Sequence, residues 1–356
     1  MVKTIYIHIG SHKTGTSAIQ KFLSTNREVL QQKGFCYPGN KVAHHDMARE
    51  FRTLELPVIA NKPDLATRKY FDEISTSRSD TIILSSEGFE GLYNSVHKLK
   101  DFLKDQFCVK IIFYARSQGE RIESMYNQRV KQEVTLLEKP FSDFVGNGYF
   151  AFLDYYKILL PWGQAFGKEN IIVRCYEKEQ LPEGIFDDFI RAVGLPPDKN
   201  YFFPKEKVNQ SLKWDLIEII RICNTRFKGD IHFHRFLVNS LEEINRGYTE
   251  EQQRLLSPVQ RKEIIELYEE SNAKVAREYL GRLDGRLFYA PLPDLNEPWT
   301  PYRGLTVEKI VPIFTQMMFN LERKHQKQRN AIENRSLKRR IFNRLKKTGK
   351  YLGLLR

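Results

Sequence analysis

Residues 10–17, GSHKTGTS, hold two glycines, one lysine and several hydroxyl side chains in eight consecutive positions. They follow the apolar stretch TIYIHI, residues 4–9, which is typical of a buried strand, and they precede a stretch with helical spacing of its apolar residues. A loop between a strand and a helix presents backbone N–H groups to an anion, and the helix dipole strengthens the attraction. The segment therefore predicts a binding loop for a phosphate-like anion.

The position of its lysine distinguishes this loop from that of nucleoside triphosphatases, G-x-x-x-x-G-K-[ST]. Gly10 and Gly15 have the required spacing, and Ser17 stands at the hydroxyl position. However, Thr16 occupies the lysine position, and Lys13 comes before the second glycine. A nucleotide kinase or ATPase therefore stays an alternative, which the displaced lysine disfavours.

A second polar cluster, YARSQGERIESMYNQ at residues 114–128, overlaps the end of the apolar stretch VKIIFYA at 109–115. Arg116 stands at the end of this predicted strand, where a planar guanidinium can bind a phosphate through two hydrogen bonds. Arg121 and Ser124 follow on a predicted helix and supply further donors. This cluster predicts a second anion site.

Together the two segments resemble motifs of the sulfotransferases that use 3′-phosphoadenosine-5′-phosphosulfate (PAPS). The first resembles their 5′-phosphosulfate loop, P/H-K-[TS]-G-[TS]-[TS], in which the lysine precedes the glycine. The second resembles their 3′-phosphate motif, R-x-x-x-x-R-x-x-S-x-Y, although Gln118 stands where proline is common. The resemblance covers about residues 3–130, lacks the K-G-x-x-G signature of the cytosolic small-molecule branch, and is nearest to the carbohydrate-modifying and bacterial branches.

The resemblance implies PAPS as sulfuryl donor, no metal ion, and a contact from Lys13 to the transferring group and its bridging oxygen. Gly15, Thr16 and Ser17 would hold the 5′-phosphate through backbone N–H and hydroxyl groups. The other implied nucleotide ligands are Ser11, His12 and Thr14 in the loop, Arg116, Arg121 and Ser124 in the second motif, and Asn209 and Ser211 within residues 206–215.

Sulfuryl transfer also needs a base for the acceptor proton, and three residues are candidates. His44 and His45 lie about thirty residues after the loop, where carbohydrate-modifying members of the family tend to carry this residue. Histidine titrates near neutral pH, whereas Glu87, at the end of the predicted strand 80–86, would need its pKa raised by burial. Alternative roles are a surface turn or a sugar contact for the histidines. For Glu87 they are a charge at a helix N-terminus or a structural partner of Arg116.

The alternation of apolar strands with helical stretches predicts an α/β fold with a P-loop-like parallel sheet flanked by helices. Residues 17–34 are predicted as one helix that ends at Gly34. Ligands of such sheets bind beyond the carboxyl ends of the strands, so the loop, Glu87 and Arg116 should share one crevice. The predicted strands cover residues 4–9, 80–86, 109–115 and 170–176.

The chain of 356 residues becomes helical after about residue 210 and strongly basic at its end. We predict a sulfotransferase domain over residues 1–300 and a helical, basic extension over 301–356. Residues 323–356 contain thirteen Lys and Arg and one acid, Glu333, a net charge of 13 − 1 = +12 out of +13 for the chain. The rest of the chain is therefore close to neutral, and the overall charge gives no reason to expect nucleic-acid binding.

An intermittent apolar stripe within this extension favours an amphipathic helix on an anionic membrane surface. The stripe consists of Leu337, Ile341, Leu345, Leu352 and Leu355. A helix packed on the body with a solvated basic face, or a disordered end, is an equal alternative. Four scattered cysteines and the lack of a visible leader or membrane-spanning run favour a reducing, cytoplasmic location, peripheral on the inner membrane face if the extension binds lipid.

The expected function is sulfuryl transfer from PAPS to a hydroxyl or amine of a carbohydrate, and a cell-surface polysaccharide or glycolipid is the expected acceptor. A lipid or small-molecule acceptor is an alternative within the same chemistry. A P-loop kinase or ATPase predicts ATP and magnesium binding instead. A non-catalytic binding module predicts that loss of the basic extension matters and loss of Lys13 does not.

Overall fold

The computed structural model describes residues 2–146, 150–204, 211–226, 229–248 and 254–351, with side chains described up to residue 340. The chain divides into two compact units. The first unit contains residues 1–128, 139–211 and 253–301, and the second contains 129–138, 212–252 and 302–356. One boundary between the two units, after residue 301, coincides with the predicted domain boundary near residue 300. The functional assignment of the predicted domains stays a prediction.

Within the described residues, five strands of the first unit form a single parallel sheet in the order β2-β3-β1-β4-β5. The central strands are β-branched and aromatic and are buried on both faces, as expected for a sheet covered by helices. The strands are β1 Lys3–Gly10, β2 Phe35–Cys36, β3 Thr81–Ser85, β4 Phe107–Ala115 and β5 Ile171–Cys175.

The strand order creates a crevice between the carboxyl ends of β1 and β4. The chain leaves β1 toward β2 on one side of the sheet and leaves β4 toward β5 on the other side. Neighbouring strands whose connections diverge in this way open a gap in which ligands of α/β sheets bind. The loop after β1 and Arg116 after β4 therefore begin at the same gap.

The helices of the first unit cover both faces of this sheet. One face packs Ile7 and Phe113 against Phe51, Trp162 and other buried residues. The other face packs Ile112 and Tyr114 against helix residues that include Phe22 and Phe189. The helices are α1 Thr16–Thr25, α2 Arg27–Gln32, α3 His45–Thr53, α4 Leu56–Asn61, α5 Ala66–Thr76, α6 Val96–Leu103, α7 Gln118–Lys131, α8 Phe141–Val145, α9 Tyr155–Phe166, α10 Ile185–Val193, α13 Pro258–Leu267 and α14 Glu269–Leu280, with 3-10 turns at Glu87–Leu92, Ala151–Leu153 and Lys168–Asn170.

The second unit is helical in its described residues and includes the last residues of α7. A buried carboxylate, Asp215, holds it together by accepting hydrogen bonds from Tyr248 and Tyr302 at 2.9 and 2.8 Å and pairing with Lys309 at 3.0 Å. Because Lys309 lies in the first turn of the last helix, this cluster fixes where that helix begins. The helices are α11 Trp214–Arg226, α12 Ile231–Asn245 and α15 Val307–Tyr351.

The structure confirms the predicted α/β class, with a parallel sheet flanked by helices and a helical C-terminal region. The prediction of one helix over 17–34 is wrong, because the chain breaks at Asn26 between α1 and α2. The Asn26 amide donates to the carbonyl oxygens of Phe22 and Phe202 and accepts from the N–H of Phe202. The two-residue strand β2 was not predicted, because it is too short to show a strand period.

Candidate active site

The loop after β1 is held in shape by its own hydroxyl groups. Ser11 is buried and donates from Oγ to the carbonyl oxygen of Tyr114 on β4, at 2.9 Å. Thr14 and Thr16 both donate from Oγ1 to the carbonyl oxygen of Ser11, at 2.7 and 3.2 Å. The hydroxyl protons of these three predicted nucleotide ligands are therefore donated to backbone carbonyl oxygens of the protein, which leaves donation to an anion to backbone N–H groups.

The N-terminus of α1 is open to an anion. Its N-cap is Gly15 at φ 77°, and in this fully described turn no side chain caps the helix and no acidic residue is present. The N–H groups of Ala18 and Ile19 donate to the carbonyl oxygen of Gly15. The first N–H groups of an α-helix have no intrahelical partner, so those of Thr16 and Ser17 can bind an anion.

Glycine is required at position 15 by two observations. The left-handed φ of 77° is strained for other residues, and an added Cβ would lie 3.2 Å from side-chain carbons of both Ile185 and Tyr176. Lys13 also has a left-handed backbone, at φ 68°. A non-glycine residue in this conformation costs free energy and is common at ligand sites, which fits a loop shaped for binding.

Arg116 joins the two predicted anion motifs. Its Nη1 donates to the carbonyl oxygen of Lys13 at 2.8 Å, so the end of β4 meets the loop after β1. Its Nε donates to Glu120 at 3.0 Å, and its guanidinium lies 5.6 Å from the ring centre of Tyr176. Because 24% of its side chain is exposed, the guanidinium is both positioned and accessible.

Arg121 occupies a different environment from the one predicted. Its side chain is fully buried, pairs with Glu90, and lies 5.2 and 5.4 Å from the ring centres of Phe152 and Tyr155. The other oxygen of Glu90 accepts from the backbone N–H of His12 at 3.2 Å. Arg121 is thus connected to the loop through Glu90, and this geometry favours a supporting role over direct phosphate binding.

For the remaining predicted nucleotide ligands the structure gives the burial of three and describes nothing of the fourth. Ser124 lies on α7 and is nearly buried, with 9% of its surface exposed. Ser17 is exposed in the first turn of α1, and Ser211 is exposed just before α11. Asn209 lies outside the described residues. The nucleotide-binding roles of all four stay predictions.

His44 is buried at the end of β3. Its Nδ1 accepts from the backbone N–H of Ser85 at 3.1 Å, and its Nε2 lies 3.0 Å from the carbonyl oxygen of Pro38. Burial lowers the pKa of His44 to about 4, despite hydrogen bonds to Pro38 and Ser85 that raise it. A ring with both nitrogens engaged by the backbone is poorly placed to accept a substrate proton, so the geometry favours a structural role.

His45 lies next to His44 in sequence, but its side chain is exposed to solvent whereas that of His44 is buried. Its side chain is 56% exposed, its Nδ1 lies 2.8 Å from Oγ of Ser86, and its Nε2 lies 3.9 Å from a carboxylate oxygen of Glu87. Ser86 also accepts from the N–H of Gly88 at 3.0 Å, so its hydroxyl is fixed in place. His45 is therefore oriented at one nitrogen and accessible, as a general base must be.

Glu87 stays a carboxylate at neutral pH. Burial alone would raise its pKa, but the charge of His45, a hydrogen bond from Gln20 at 2.8 Å and the charge of His12 together lower it. His12 is itself partly buried, and burial lowers its pKa although Glu90 and Glu87 oppose this. The pair of His45 and Glu87 thus combines an accessible imidazole with a fixed negative charge.

A cavity of about 600 Å³ opens beside Arg116 within the first unit. Its volume falls in the range of small-molecule sites. Its wall includes Arg254, which pairs with Glu120 at 3.0 Å, and Arg261, which pairs with Glu297. The wall also carries Lys178 and the acids Glu177, Glu179 and Asp294. The lining also includes Ser117, Gly119, Glu120, Tyr176 and Ile185.

Sequence reasoning missed several residues of this site. Gln20 orients Glu87, Ser86 orients His45, and Glu90 supports the loop. Glu90 falls in the segment EGFEG directly after a predicted strand, and a second acid beside Glu87 was a usable signal. Tyr176 follows β5 and carried no signal that separates it from a core aromatic.

No protein-family model matches the chain. A curated protein of Archaeoglobus fulgidus, described only as an uncharacterized protein, is 32% identical over 204 residues, which are 56% of this chain and 54% of that protein. The chain thus spans about half the length of the curated relative that it matches. This match shows shared ancestry of a large segment but no activity.

Three solved structures similar to this chain are sulfotransferases. One from Alicyclobacillus acidocaldarius is 16% identical, with a TM-score of 0.35 over 66% of this chain and 100% of the other. The sulfotransferase domain from the curacin biosynthetic pathway is 11% identical, with a TM-score of 0.37 over 75% and 97%. Mouse sulfotransferase SULT7A1 in complex with PAP is 12% identical, with a TM-score of 0.30 over 67% and 89%. At these identities and TM-scores the similarities establish neither family nor activity.

Two other classes of site are not found in the described residues. No helix in this part of the chain has the length and apolarity needed to cross a membrane. In the same residues, no group of three or more His, Cys, Asp or Glu side chains could hold a metal ion. The predicted independence from metal stays a prediction.

Proposed function

We propose that this protein is a PAPS-dependent sulfotransferase that acts on a carbohydrate. The observation that carries the proposal is the hydrogen bond from Arg116 to the carbonyl oxygen of Lys13. The two motifs were predicted separately, one for each end of a doubly phosphorylated adenosine, and they lie 103 residues apart in the chain. Their contact is what a single nucleotide site bridging both motifs requires.

The residues around this contact fit such a nucleotide. The uncapped N-terminus of α1, with Gly15 as its N-cap, suits the 5′-phosphate. Arg116 suits the 3′-phosphate because its guanidinium is anchored and partly exposed. Arg254 and Arg261 line the adjacent cavity, whose volume of about 600 Å³ can accept the nucleoside. The acids Glu90 and Glu120 are each paired with an arginine.

PAPS supplies a sulfuryl group on a phosphosulfate anhydride. The acceptor oxygen forms a bond to sulfur as the bond from sulfur to the phosphate oxygen breaks, and the acceptor proton passes to a base. Lys13 lies in the loop where negative charge grows on the bridging oxygen, and a nearby ammonium stabilises that charge. The N–H groups at the start of α1 are fixed by the fold, so they need not reorganise during the step.

His45 is the best placed of the three predicted bases. Its exposed ring can meet an acceptor hydroxyl, and Ser86 fixes its orientation. Glu87 lies 3.9 Å from Nε2 of His45 and stabilises the imidazolium that forms on proton transfer. His44 instead ties the start of α3 to the end of β3.

A carbohydrate acceptor is supported by the nearest branch of the resemblance and by the exposed position of His45. A bulky polymer can reach a base at the protein surface without entering a closed cavity. We further propose that the reaction occurs in the cytoplasm, on a polysaccharide or glycolipid precursor.

Calorimetric titration with 3′-phosphoadenosine-5′-phosphate and with ATP plus magnesium tests the nucleotide assignment. We expect a micromolar dissociation constant for the first nucleotide and far weaker binding of ATP. Arg116→Ala should weaken the first by about ten- to a hundredfold, the usual size of a lost hydrogen bond to a charged group. Arg191→Ala, which removes an exposed arginine paired with Glu183, is the matched control and should leave affinity unchanged. ATP binding equal to or tighter than that of the bisphosphate would overturn the proposal in favour of a kinase or ATPase.

Transfer of labelled sulfate from PAPS to a panel of glycans, sterols and phenols tests the acceptor and the base. We expect label in the glycan fraction. His45→Asn should lower the rate about a hundredfold or more, the usual contribution of a general base, and leave nucleotide affinity intact. Label in sterols or phenols alone would contradict the carbohydrate assignment, and a His45→Asn rate equal to wild type would remove His45 as the base.

A further inference from the structure

The last helix, α15, changes character along its length. It runs without a break from Val307 to Tyr351, which corresponds to about 68 Å at the α-helical rise. Its first part packs against α12 in the second unit, where Ile313 is buried. From residue 322 to residue 340 every side chain is exposed, on all faces of the helix. This segment therefore has no face buried against the rest of the chain.

The start of this helix is firmly held. Lys309 pairs with the buried Asp215 at 3.0 Å, and Tyr302 donates to the same carboxylate at 2.8 Å. Farther along, Lys324 pairs with Glu243 of α12 at 2.6 Å. The exposed part therefore continues a helix that is anchored at its start and contacts α12 again through Lys324.

An apolar stripe runs along one face of the first part of α15. It consists of four exposed residues at steps of three or four positions, Val307, Val311, Phe314 and Met318. The stripe ends there, because the same face continues with Glu322, His325 and Arg329 before the exposed Ile332. Phe319 is also exposed but lies about 100° around the helix from Met318. This stripe differs from the one predicted over residues 337–355, of which only the side chain of Leu337 lies within the described residues. The guanidinium of Arg323 lies 5.6 Å from the ring centre of Phe319.

Positive charge flanks this stripe. Between residues 323 and 340 the chain has eight Lys and Arg and one acid, Glu333. They are Arg323, Lys324, Lys327, Arg329, Arg335, Lys338, Arg339 and Arg340. Only a surface that is anionic and also accepts apolar side chains matches both features.

We propose that α15 lies along an anionic lipid membrane, with the stripe of Val307, Val311, Phe314 and Met318 inserted among the acyl chains and the basic residues of 323–340 at the headgroups. A nucleic acid or an acidic polysaccharide would match the charge but would leave the apolar stripe in water. Anionic lipid satisfies both, because the stripe enters the apolar layer while the basic residues that follow it along the helix bind the headgroups. This inference goes beyond the proposed sulfuryl transfer and does not depend on it.

Cosedimentation of the full-length protein with vesicles tests the proposal. The vesicles contain either phosphatidylcholine alone or phosphatidylcholine with about one-third phosphatidylglycerol. We expect binding to the anionic vesicles, at least tenfold weaker binding to neutral ones, and partial release at high salt because surface attraction is screened. Absence of binding to the anionic vesicles would overturn the proposal, whatever the outcome of nucleotide titration.

Two double variants separate membrane insertion from charge attraction. Val311→Gln with Met318→Gln removes half of the stripe, and Phe319→Gln with Ile332→Gln removes two apolar residues of similar exposure outside it. We expect the first to lower the vesicle affinity several-fold more than the second. If both variants changed the vesicle affinity equally, the attraction would be purely electrostatic and the lipid assignment would be overturned. The same conclusion would follow if the first variant bound vesicles as the wild type does and random-sequence duplex DNA abolished that binding. Circular dichroism of both variants shows whether the helix is retained.

Discussion

The candidate active site has an open layer and a buried layer, and neighbouring residues of the same type divide between them. Arg116 is partly exposed at the crevice, whereas Arg121, five positions later, is fully buried against Glu90. His45 is exposed, whereas His44 is enclosed by backbone hydrogen bonds. Residue type alone therefore does not distinguish a group that meets a ligand from a group that supports one.

The two layers differ in the partners of their charged side chains. In the buried layer the Arg121 guanidinium has a carboxylate partner, aromatic rings and the carbonyl oxygen of Phe152, and no exposed surface. In the open layer the Arg116 guanidinium is held at Nη1 and Nε, and a ligand can approach the rest. A buried charge must be paired by the protein itself, whereas a charge at a crevice is poised for an anion. The difference predicts separate consequences for stability and for binding.

The largest expected effect comes from breaking the buried pair. Arg121→Met leaves Glu90 without its partner, and Glu90→Gln leaves the buried guanidinium without its counter-charge. Each should lower the free energy of unfolding by about 3–5 kcal/mol, the usual result of unpairing a buried charge. Urea unfolding followed by circular dichroism measures this change.

The exposed pair of Arg254 and Glu120 supplies the control for that prediction. Arg254→Met should change the free energy of unfolding by about 1 kcal/mol or less, because exposed ion pairs contribute little. If Arg121→Met instead left stability unchanged and abolished nucleotide binding, Arg121 would belong to the open layer and the comparison would fail.

The sequence was sufficient to predict which elements meet. Continuous β-branched and aromatic stretches identified the four long strands, and the rule for parallel sheets placed the loop, Glu87 and Arg116 at one edge. Local sequence could not predict which side chains are accessible. His44 precedes α3 and His45 begins it, so their directions depend on the residue at which that helix starts. Arg121 is buried by Phe152 and Tyr155, which are distant in sequence.

The loop itself shows the same limit of prediction. Its residue types indicated an anion site, and the left-handed Gly15 and uncapped α1 agree with that prediction. The pattern could not show that Thr14 and Thr16 would donate to the carbonyl oxygen of Ser11, because such bonds depend on the folded path of the backbone. The role of Glu90 was equally hidden, since it depends on a contact with the N–H of His12.

A smaller effect should distinguish the two layers through pH. Burial lowers the pKa of His44 from 6.5 to about 4, so the unfolded chain binds this proton at a higher pH than the native protein does. His44 therefore contributes full stability above about pH 6.5, and this contribution is lost as the pH falls toward 4. The loss amounts to about 3 kcal/mol at 1.36 kcal/mol for each unit of pKa difference. Burial lowers the pKa of His8 to about 4 as well, and it also lowers the pKa of His12, so these histidines should act in the same direction.

The free energy of unfolding measured in urea from pH 8 to pH 4 tests this effect. His44→Asn removes one titrating group and should make the pH dependence less steep than in the wild type, even if the variant is less stable at every pH. His8→Asn should reduce the slope by a similar amount, because its ring is buried beside Tyr114 and Phe189 and has Ser85 as its partner. A His44→Asn slope identical to that of the wild type would mean that His44 takes up protons in the native protein. It would then be as accessible as His45, and the distinction between the open and buried layers would not hold on this side of the crevice.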